Sequence, residues 1–211
     1  AYQDIDVDEV GDEIISKINE IGNTFAVNNS DIIEGLKESA SALSVARNSL
    51  DETIALNVAG TEVTRDSSRV ANALRTVSMR IRGVDAETGQ LKKNLLLMNN
   101  QINAITNKKI EFFTDDTEQT FKSTYEILKQ IYDIWPTLND KARANILEIV
   151  AGKTRANELA AILNNFESAE KVMEGIQDSA GSMDREFSKV QDSLQYKLNK
   201  TKETLAGMGQ T

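Results

Sequence analysis

The sequence predicts an all-α protein, a multi-helix bundle of short capped helices followed by a long C-terminal helix. Apolar residues recur at spacings of three and four along most of the chain, and several of these stretches begin at helix-capping residues. The 211 residues include one proline and 11 glycines, so few positions interrupt a helix. The hydrophobic content of 40% is enough to form a core.

The first predicted helix runs from about residue 8 to residue 26. Its apolar stripe consists of Val7, Val10, Ile14, Ile18, Ile21 and Phe25. Glu13 and Lys17 are expected to pair on its solvent side. Ser30 is expected to cap a second helix, with Asp31 at the positive end of the helix dipole.

Two capping boxes mark further helix starts. Ser49 is followed three residues later by Glu52, and Ser123 is followed by Glu126. In such a pair the hydroxyl and the carboxylate each accept a hydrogen bond from a backbone N–H that the helix leaves unpaired. The sequence therefore predicts one helix over residues 50–64 and another that ends before Pro136.

Helical spacing also predicts a helix over residues 67–82, with Gly83 as its left-handed stop and arginines on its outer face. Another helix is predicted around residues 91–105. The segment 107–119 is different, because short runs of aromatic residues lie between charged pairs. This segment predicts either a small β-ribbon or a loop packed by its own aromatic side chains.

Asn139 is predicted to cap a helix that Gly152 stops, and Lys153 or Thr154 is predicted to open the next one. The triplet Gly152-Lys153-Thr154 also matches the end of a phosphate-binding loop. That pattern requires a glycine where Leu147 stands, and a strand before the loop. We therefore interpret the triplet as a helix stop followed by a helix start.

The last segment, residues 182–211, is predicted to begin a long helical rod that continues from a compact module over residues 1–181. Its apolar residues follow a loose seven-residue rhythm, which is typical of a coiled-coil helix that pairs with another. They form a predicted interaction face of Phe187, Val190, Leu194, Leu198 and Leu205. We expect the chain to form a homo-oligomer through this face, and to be a fragment of a longer protein.

Residue types that perform covalent chemistry are scarce. The chain has no cysteine and no histidine, which excludes thiolate nucleophiles, imidazole bases and the usual zinc sites. Asp4, Asp6 and Asp8 alternate like the start of a calcium loop, but neither register supplies both the turn glycine and the closing carboxylate. An acidic helix start explains them better. We expect no enzyme activity, no catalytic residue, no cofactor and no metal.

The charge of the chain bears on its partners. With 24 basic and 33 acidic residues the net charge is −9, which disfavours direct binding of nucleic acid. The longest run of large apolar residues, Leu95–Met98, is far shorter than the ~20 residues that span a membrane, so no membrane segment is predicted.

One stretch, residues 65–93, is locally basic. Its basic residues are Arg65, Arg69, Arg75, Arg80, Arg82, Lys92 and Lys93, against the acidic Asp66, Asp85 and Glu87. The stretch is either a docking surface for an acidic partner or is paired internally with the acidic start of the chain. We favour internal pairing, because charge runs usually form solvated faces.

Six segments together resemble the tail tape measure proteins of long-tailed bacteriophages and prophages, and they occur in the same order. The segments are KINEIGNTFAV (17–27), SDIIEGLKESASALSVARNSLDETIAL (30–56), ALRTVSMRIRG (73–83), FKSTYEILKQIYDIW (121–135), LEIVAGKTRANELAAILNNF (147–166) and DSAGSMDREFSKVQDSLQYKLNK (178–200). The resemblance covers most of the chain and is weakest over residues 87–119.

The resemblance implies a virion structural protein of the tail that acts as a length ruler. In that family a long helical polypeptide sets the length of the tail tube and leaves before or with the DNA at ejection. It also implies tail tube proteins, tail tip proteins and tail assembly chaperones as partners, assembly in the host cytoplasm, and a final location in the virion tail. Two alternatives remain open: a helical interaction or signalling bundle, and a module adjacent to a cell-wall-cleaving domain.

Overall fold

The computed structural model of the chain describes residues 7–84, 95–107, 110–114 and 120–177. The predicted all-α fold is confirmed, because these ranges contain nine α-helices, one 3-10 turn and no strand. The α-helices are α1 (Val7–Thr24), α2 (Asn29–Val45), α3 (Leu50–Thr64), α4 (Ser67–Ile81), α5 (Leu95–Thr106), α6 (Thr124–Ile134), α7 (Asp140–Ala151), α8 (Ala156–Asn164) and α9 (Phe166–Gln177). The 3-10 turn, Trp135–Thr137, follows α6.

Helix α3 is the centre of the bundle. Every residue from Thr53 to Thr61 is buried, and the helix packs against α2, α4, α6, α8 and α9. A helix that is buried around its whole circumference needs neighbours on all sides, and α2, α4, α8 and α9 provide them.

Two glycines let the neighbouring helices approach α3 closely. A Cβ atom added to Gly60 of α3 would lie 2.6 Å from Val70 Cγ1 of α4. A Cβ atom added to Gly35 of α2 would lie 2.8 Å from Asn57 Oδ1 of α3. Because a packed interior leaves no room at such distances, glycine at these positions sets the spacing of α2, α3 and α4.

Both predicted capping boxes are confirmed. The Ser49 hydroxyl accepts from the Glu52 N–H at 3.1 Å, and the Glu52 carboxylate accepts from the Ser49 N–H at 2.9 Å. The corresponding distances between Ser123 and Glu126 are 3.0 and 2.7 Å. Helix α3 has the predicted bounds, and α6 gives way to the 3-10 turn at Trp135, immediately before Pro136.

The predicted start of the second helix is wrong. Asn28, and not Ser30, is the N-cap of α2, and it forms a capping box with Asp31. An asparagine amide caps as well as a serine hydroxyl, so the Asn28-Asn29-Ser30 run offered three caps and local sequence did not choose among them. The predicted solvent-side position of Lys17 is also wrong, since its side chain is only 11% exposed and its Nζ lies 2.7 Å from an Asp51 oxygen of α3. The predicted pair with Glu13 stays a prediction, because the Glu13 side chain lies outside the described part of the chain.

The predicted start of α8 is wrong as well. The helix begins at Ala156 after Arg155, which makes no side-chain cap, and residues 153–155 form a turn. Helix α9 was not predicted at all. It follows α8 almost directly, and its first residue, Phe166, is fully buried with its ring 5.2 Å from those of Tyr125 and Tyr132.

The segment 107–119 is described in part. Its described residues form no strand, and a single antiparallel bridge joins Phe113 to Phe121. The two rings lie 4.6 Å apart, while Ile110 and Phe112 are buried in the core. The Thr114 N–H donates to the Thr120 carbonyl and the Lys122 N–H donates to the Phe112 carbonyl, both at 2.8 Å. The described residues therefore combine a minimal antiparallel pairing, as in the predicted ribbon, with the aromatic packing expected of the predicted loop. The predicted rod, residues 182–211, lies outside the described residues.

Helices α1 and α9 pack side by side and run antiparallel. One oxygen of Glu62 accepts from the Ala26 N–H just after α1 at 3.0 Å, and the other accepts from the Ser168 hydroxyl in the first turn of α9. Further along α9, a Cβ atom on Gly175 would lie 3.8 Å from Ile21 Cδ1 of α1. The start of α1 and the end of α9 therefore lie at the same end of the bundle.

Candidate interaction surfaces

The interaction face predicted from the sequence lies outside the described residues, which end at Gln177. It stays a prediction for Phe187, Val190, Leu194, Leu198 and Leu205. The described residues offer two other features of interest, a polar junction between helix ends and a groove beside it.

The polar junction is the place where α2 and α4 end and where α3 and α6 begin. Asn48, in the connection from α2 to α3, is 3% exposed. Its Nδ2 donates to the carbonyls of Leu43 and Ala46 at 3.0 and 3.2 Å, and its Oδ1 accepts from the Tyr125 N–H at 2.9 Å. One side chain thus satisfies the end of α2 and the first turn of α6.

The two capping boxes meet at the same junction. The Ser123 hydroxyl, which caps α6, also donates to Glu52 Oε1 of the α3 capping box at 3.0 Å. Burial raises the pKa of Glu52, and the nearby Glu126 carboxylate adds to this effect, while hydrogen bonds from Ser49 and Ser123 oppose it. The starts of α3 and α6 are therefore joined through one shared carboxylate.

Arg82, predicted to lie on an outer face, instead reaches into the polar junction from the end of α4. Its two terminal nitrogens donate to the carbonyls of Ser78, Lys122 and Ala46 and to the Thr124 hydroxyl. Burial, and to a lesser extent a second positive charge nearby, lower the pKa of Arg82 to about 10. The guanidinium remains charged at neutral pH and holds the end of α2 against the start of α6.

The groove lies between α2 and α4 and borders the polar junction. This α2–α4 groove has a volume of about 380 Å³ and is lined by Glu38, Ser41, Ala42, Val45, Ala46, Arg75, Ser78, Met79, Arg82 and Val84. Val45 is 81% exposed, more than the three other exposed large apolar residues of the described chain. The groove thus combines an apolar surface with two arginines.

The turn beside the groove has an unusual backbone. Arg47 has a φ of 62°, in the left-handed region that favours glycine. The Asn48 N–H donates to the Leu43 carbonyl and the Arg47 N–H donates to the Ser44 carbonyl, both at 2.9 Å, which is the Schellman pattern of a helix end. The Arg47 side chain is exposed and has no hydrogen-bond or ion-pair partner among the described residues.

Four arginines of the basic stretch are held within the bundle, but by partners other than the acidic start of the chain that the sequence analysis favoured. Arg65 donates to the Ala26 carbonyl, Arg69 pairs with the buried Glu158 of α8, Arg80 donates to the carbonyls of Glu148 and Ile149 at the end of α7, and Arg82 occupies the polar junction. Arg75 is exposed and has no such partner among the described residues.

The Gly152-Lys153-Thr154 triplet follows helix α7, and Gly152 has a φ of 74° at the helix end. The interpretation as a helix stop is therefore confirmed. In the described part of the chain, no three His, Cys, Asp or Glu side chains lie together in a way that would hold a metal ion. None of the described helices combines the length and the apolar character that crossing a membrane requires.

Comparison with known families decides the class of protein. A sequence model of the family described as phage-related minor tail protein matches residues 3–152, which is most of the chain. The chain belongs to this family. As a phage-related minor tail protein it is a structural component of the virion tail, and its partners are other tail proteins. No solved structure matches it.

The folded unit of this minor tail protein extends beyond the matched residues. The match ends at Gly152, the residue that stops α7. Leu159, Ile162 and Phe166 lie beyond that point and are fully buried in the same core. Helices α8 and α9 pack against α3 and therefore belong to the same bundle as the matched part.

The sequence did not reveal Val45, Arg47 and Asn48 as notable residues. The available signal was the short connection between the apolar stripe that ends at Ala46 and the cap at Ser49. Helices commonly end with one left-handed residue, and asparagine tolerates that conformation, so the short connection at Arg47 and Asn48 was a candidate position for one.

Proposed function

We propose that this chain is a structural module of a tail tape measure protein, which acts as a ruler for tail tube assembly and is released at DNA ejection. The family match over residues 3–152 carries the proposal, because four of the six segments that resemble tape measure proteins lie wholly within it. Such a role needs no reactive side chain, since a ruler measures by the fixed rise of a helix, ~1.5 Å per residue.

The geometry of the bundle supports a module attached to a rod. The chain enters through α1 and leaves through α9 at the same end of the bundle, since these helices are antiparallel neighbours. In this arrangement the bundle sits at one end or beside the rod, and the rod supplies the length.

The partners in this role are tail tube and tail tip proteins, with tail assembly chaperones during assembly in the host cytoplasm. Self-association through the predicted face of residues 187–205 would give the rod more than one strand. The net charge of −9 supports a protein that does not bind the phage DNA directly.

The test is a set of in-frame deletions in the rod of the intact gene, with tail length measured by electron microscopy. Tails should shorten in proportion to the number of residues removed. Tails of unchanged length would contradict the ruler function.

We also propose that the chain has no catalytic activity of its own. A cell-wall-cleaving domain would produce a clear band in a zymogram of the purified chain, and we expect none. The lengths of the helices argue against the alternative of a signalling bundle, because the longest helix among the described residues, α1, has 18 residues. Long unbroken heptads would be expected in a signalling bundle.

A further inference from the structure

Three unfavourable features of two residues, Arg47 and Val45, lie together at the α2–α4 groove. Arg47 occupies a left-handed position that glycine fills with less strain. Val45, two residues earlier, is 81% exposed. The positive charge of Arg47 also lies near enough to Arg82 to repel it. None of these three features stabilises the fold, and all three occur beside the same groove. This combination suggests that the residues serve to bind a ligand.

The charge of the groove has the opposite sign to that of the whole chain. Arg47, Arg75 and Arg82 are on or beside it, in a chain of net charge −9. Among the described lining residues Glu38 is the acidic one, and its two oxygens already accept hydrogen bonds from Ser68 and Asn72 at 2.7 and 3.0 Å. The donors of Arg47 and Arg75 remain available among the described residues.

The lining of the groove determines what else the ligand needs. Ala42, Val45, Met79 and Val84 line the groove and give it an apolar surface. The volume of about 380 Å³ falls within the range of ligand pockets. A purely polar ligand would leave this surface exposed, whereas an apolar side chain would cover it.

We propose that the α2–α4 groove binds an acidic amphipathic segment of another protein. Carboxylates of the segment pair with Arg47 and Arg75, and an apolar side chain of the segment covers Val45 and fills the groove. Opposite charge steers the encounter and makes binding sensitive to salt. This proposal does not depend on the ruler function, because it concerns a surface of the isolated chain.

The absence of cysteine from the chain allows a single reporter to be placed at the groove. Ser41→Cys introduces a thiol on a lining residue, and an environment-sensitive fluorophore on it reports occupancy. The probe is a synthetic helical peptide with Leu and Glu at amphipathic spacing, and its matched control has Lys in place of every Glu. We expect saturable binding of the Glu peptide that weakens as salt is raised.

The decisive variant carries Arg47→Gly and Arg75→Gln. We expect at least a tenfold loss of affinity for the Glu peptide, with a melting temperature that does not fall, since glycine suits the left-handed turn. The matched control, Lys37→Gln with Lys141→Gln, removes the same charge from two exposed residues outside the groove. It should bind as the parent chain does.

Three outcomes would overturn the proposal. They are equal binding of the Lys peptide, an equal loss of affinity in the control variant, and no saturable binding by the parent chain. If the parent does not bind but a chain with residues 85–94 replaced by Gly and Ser does, the groove belongs to the chain's own segment and not to a partner. None of these measurements involves tail length, so a negative result would disprove binding at the groove without testing the proposed ruler function.

Discussion

The side chain of Asn48 accepts a hydrogen bond from the Tyr125 backbone N–H at 2.9 Å, across 77 residues of sequence. The same side chain donates to the carbonyls of Leu43 and Ala46. Asn48 is nearly fully buried, so water does not replace these bonds when the side chain is lost. The amide group of Asn48 therefore joins the end of α2 to the start of α6, beside the contacts that Arg82 makes to both.

Replacing Asn48 by alanine should destabilise the bundle by about 2–3 kcal/mol, because it leaves the buried Tyr125 N–H without an acceptor and removes two further buried hydrogen bonds. The Leu43 and Ala46 carbonyls each keep one other donor, the Asn48 backbone N–H and Arg82. The measurement is chemical denaturation of the purified variant and the parent chain. Asn139→Ala provides the comparison, since it removes one N-cap bond to the Ala142 N–H and should cost about 1 kcal/mol. A loss for Asn48→Ala no larger than that for Asn139→Ala would contradict this role.

Glu62 should make stability depend on pH. Burial raises the pKa of its carboxyl, but hydrogen bonds from Ser168, the Ala26 N–H and Asn165 outweigh burial, so the pKa is lowered from 4.5. A carboxyl with a lowered folded-state pKa stabilises the protein above its unfolded pKa, and this contribution is lost as pH falls through the folded-state value.

The variant Glu62→Gln should therefore be less stable than the parent at pH 7, by about 1 kcal/mol because the carboxylate is partly exposed. The difference should narrow as the pH is lowered below 4.5. Urea denaturation at a series of pH values measures both effects. Glu174→Gln, at an exposed position of α9, is the control. A stability gap for Glu62→Gln that stays constant down to low pH would rule out this explanation.

Local patterns in the sequence were sufficient for much of the fold. The capping boxes at Ser49 and Ser123 gave correct helix starts, because each depends on residues three positions apart. Where several caps were available, as at Asn28 and Ser30, local chemistry did not select one. The start of α8 was misplaced for a related reason, since its first turn has no side-chain cap.

Other features depend on contacts that local sequence does not encode. The apolar residues of α3 show no preferred side, so its central position follows only from the helices around it. Helix α9 does carry a usable pattern in Phe166, Ala169, Val172 and Ile176, all buried at helical spacing. Val45 and Arg75 both line the α2–α4 groove although they belong to different helices. Their proximity depends on how α2 and α4 pack and cannot be read from local sequence.

The predicted face in residues 182–211 should make the chain self-associate. We expect sedimentation to show dimers or larger species at high concentration, because an apolar heptad stripe is buried when it packs against a second helix. Replacing Leu194 and Leu198 by serine should yield a monomer. Serine at Gln195 and Asn199, outside the stripe, should change nothing. A parent chain that sediments only as a monomer would count against the face.

Removing residues 7–177 from the intact protein should shorten tails by clearly less than ~1.5 Å per residue. The reason is that α1 and α9 bring the chain back to the same end of the bundle, so the folded module adds little length. An equal number of residues removed from a helical rod of the same protein is the control, and it should shorten tails by the full amount. Equal shortening by both deletions would show that the bundle is extended within the tail.

The ruler function is best tested by the slope of tail length against rod length. A series of insertions and deletions in the helical rod of the intact gene would be imaged by electron microscopy. We predict that mean tail length rises and falls linearly, with a slope near ~1.5 Å per residue, as a helical ruler requires. Tails of constant length across the series would contradict it.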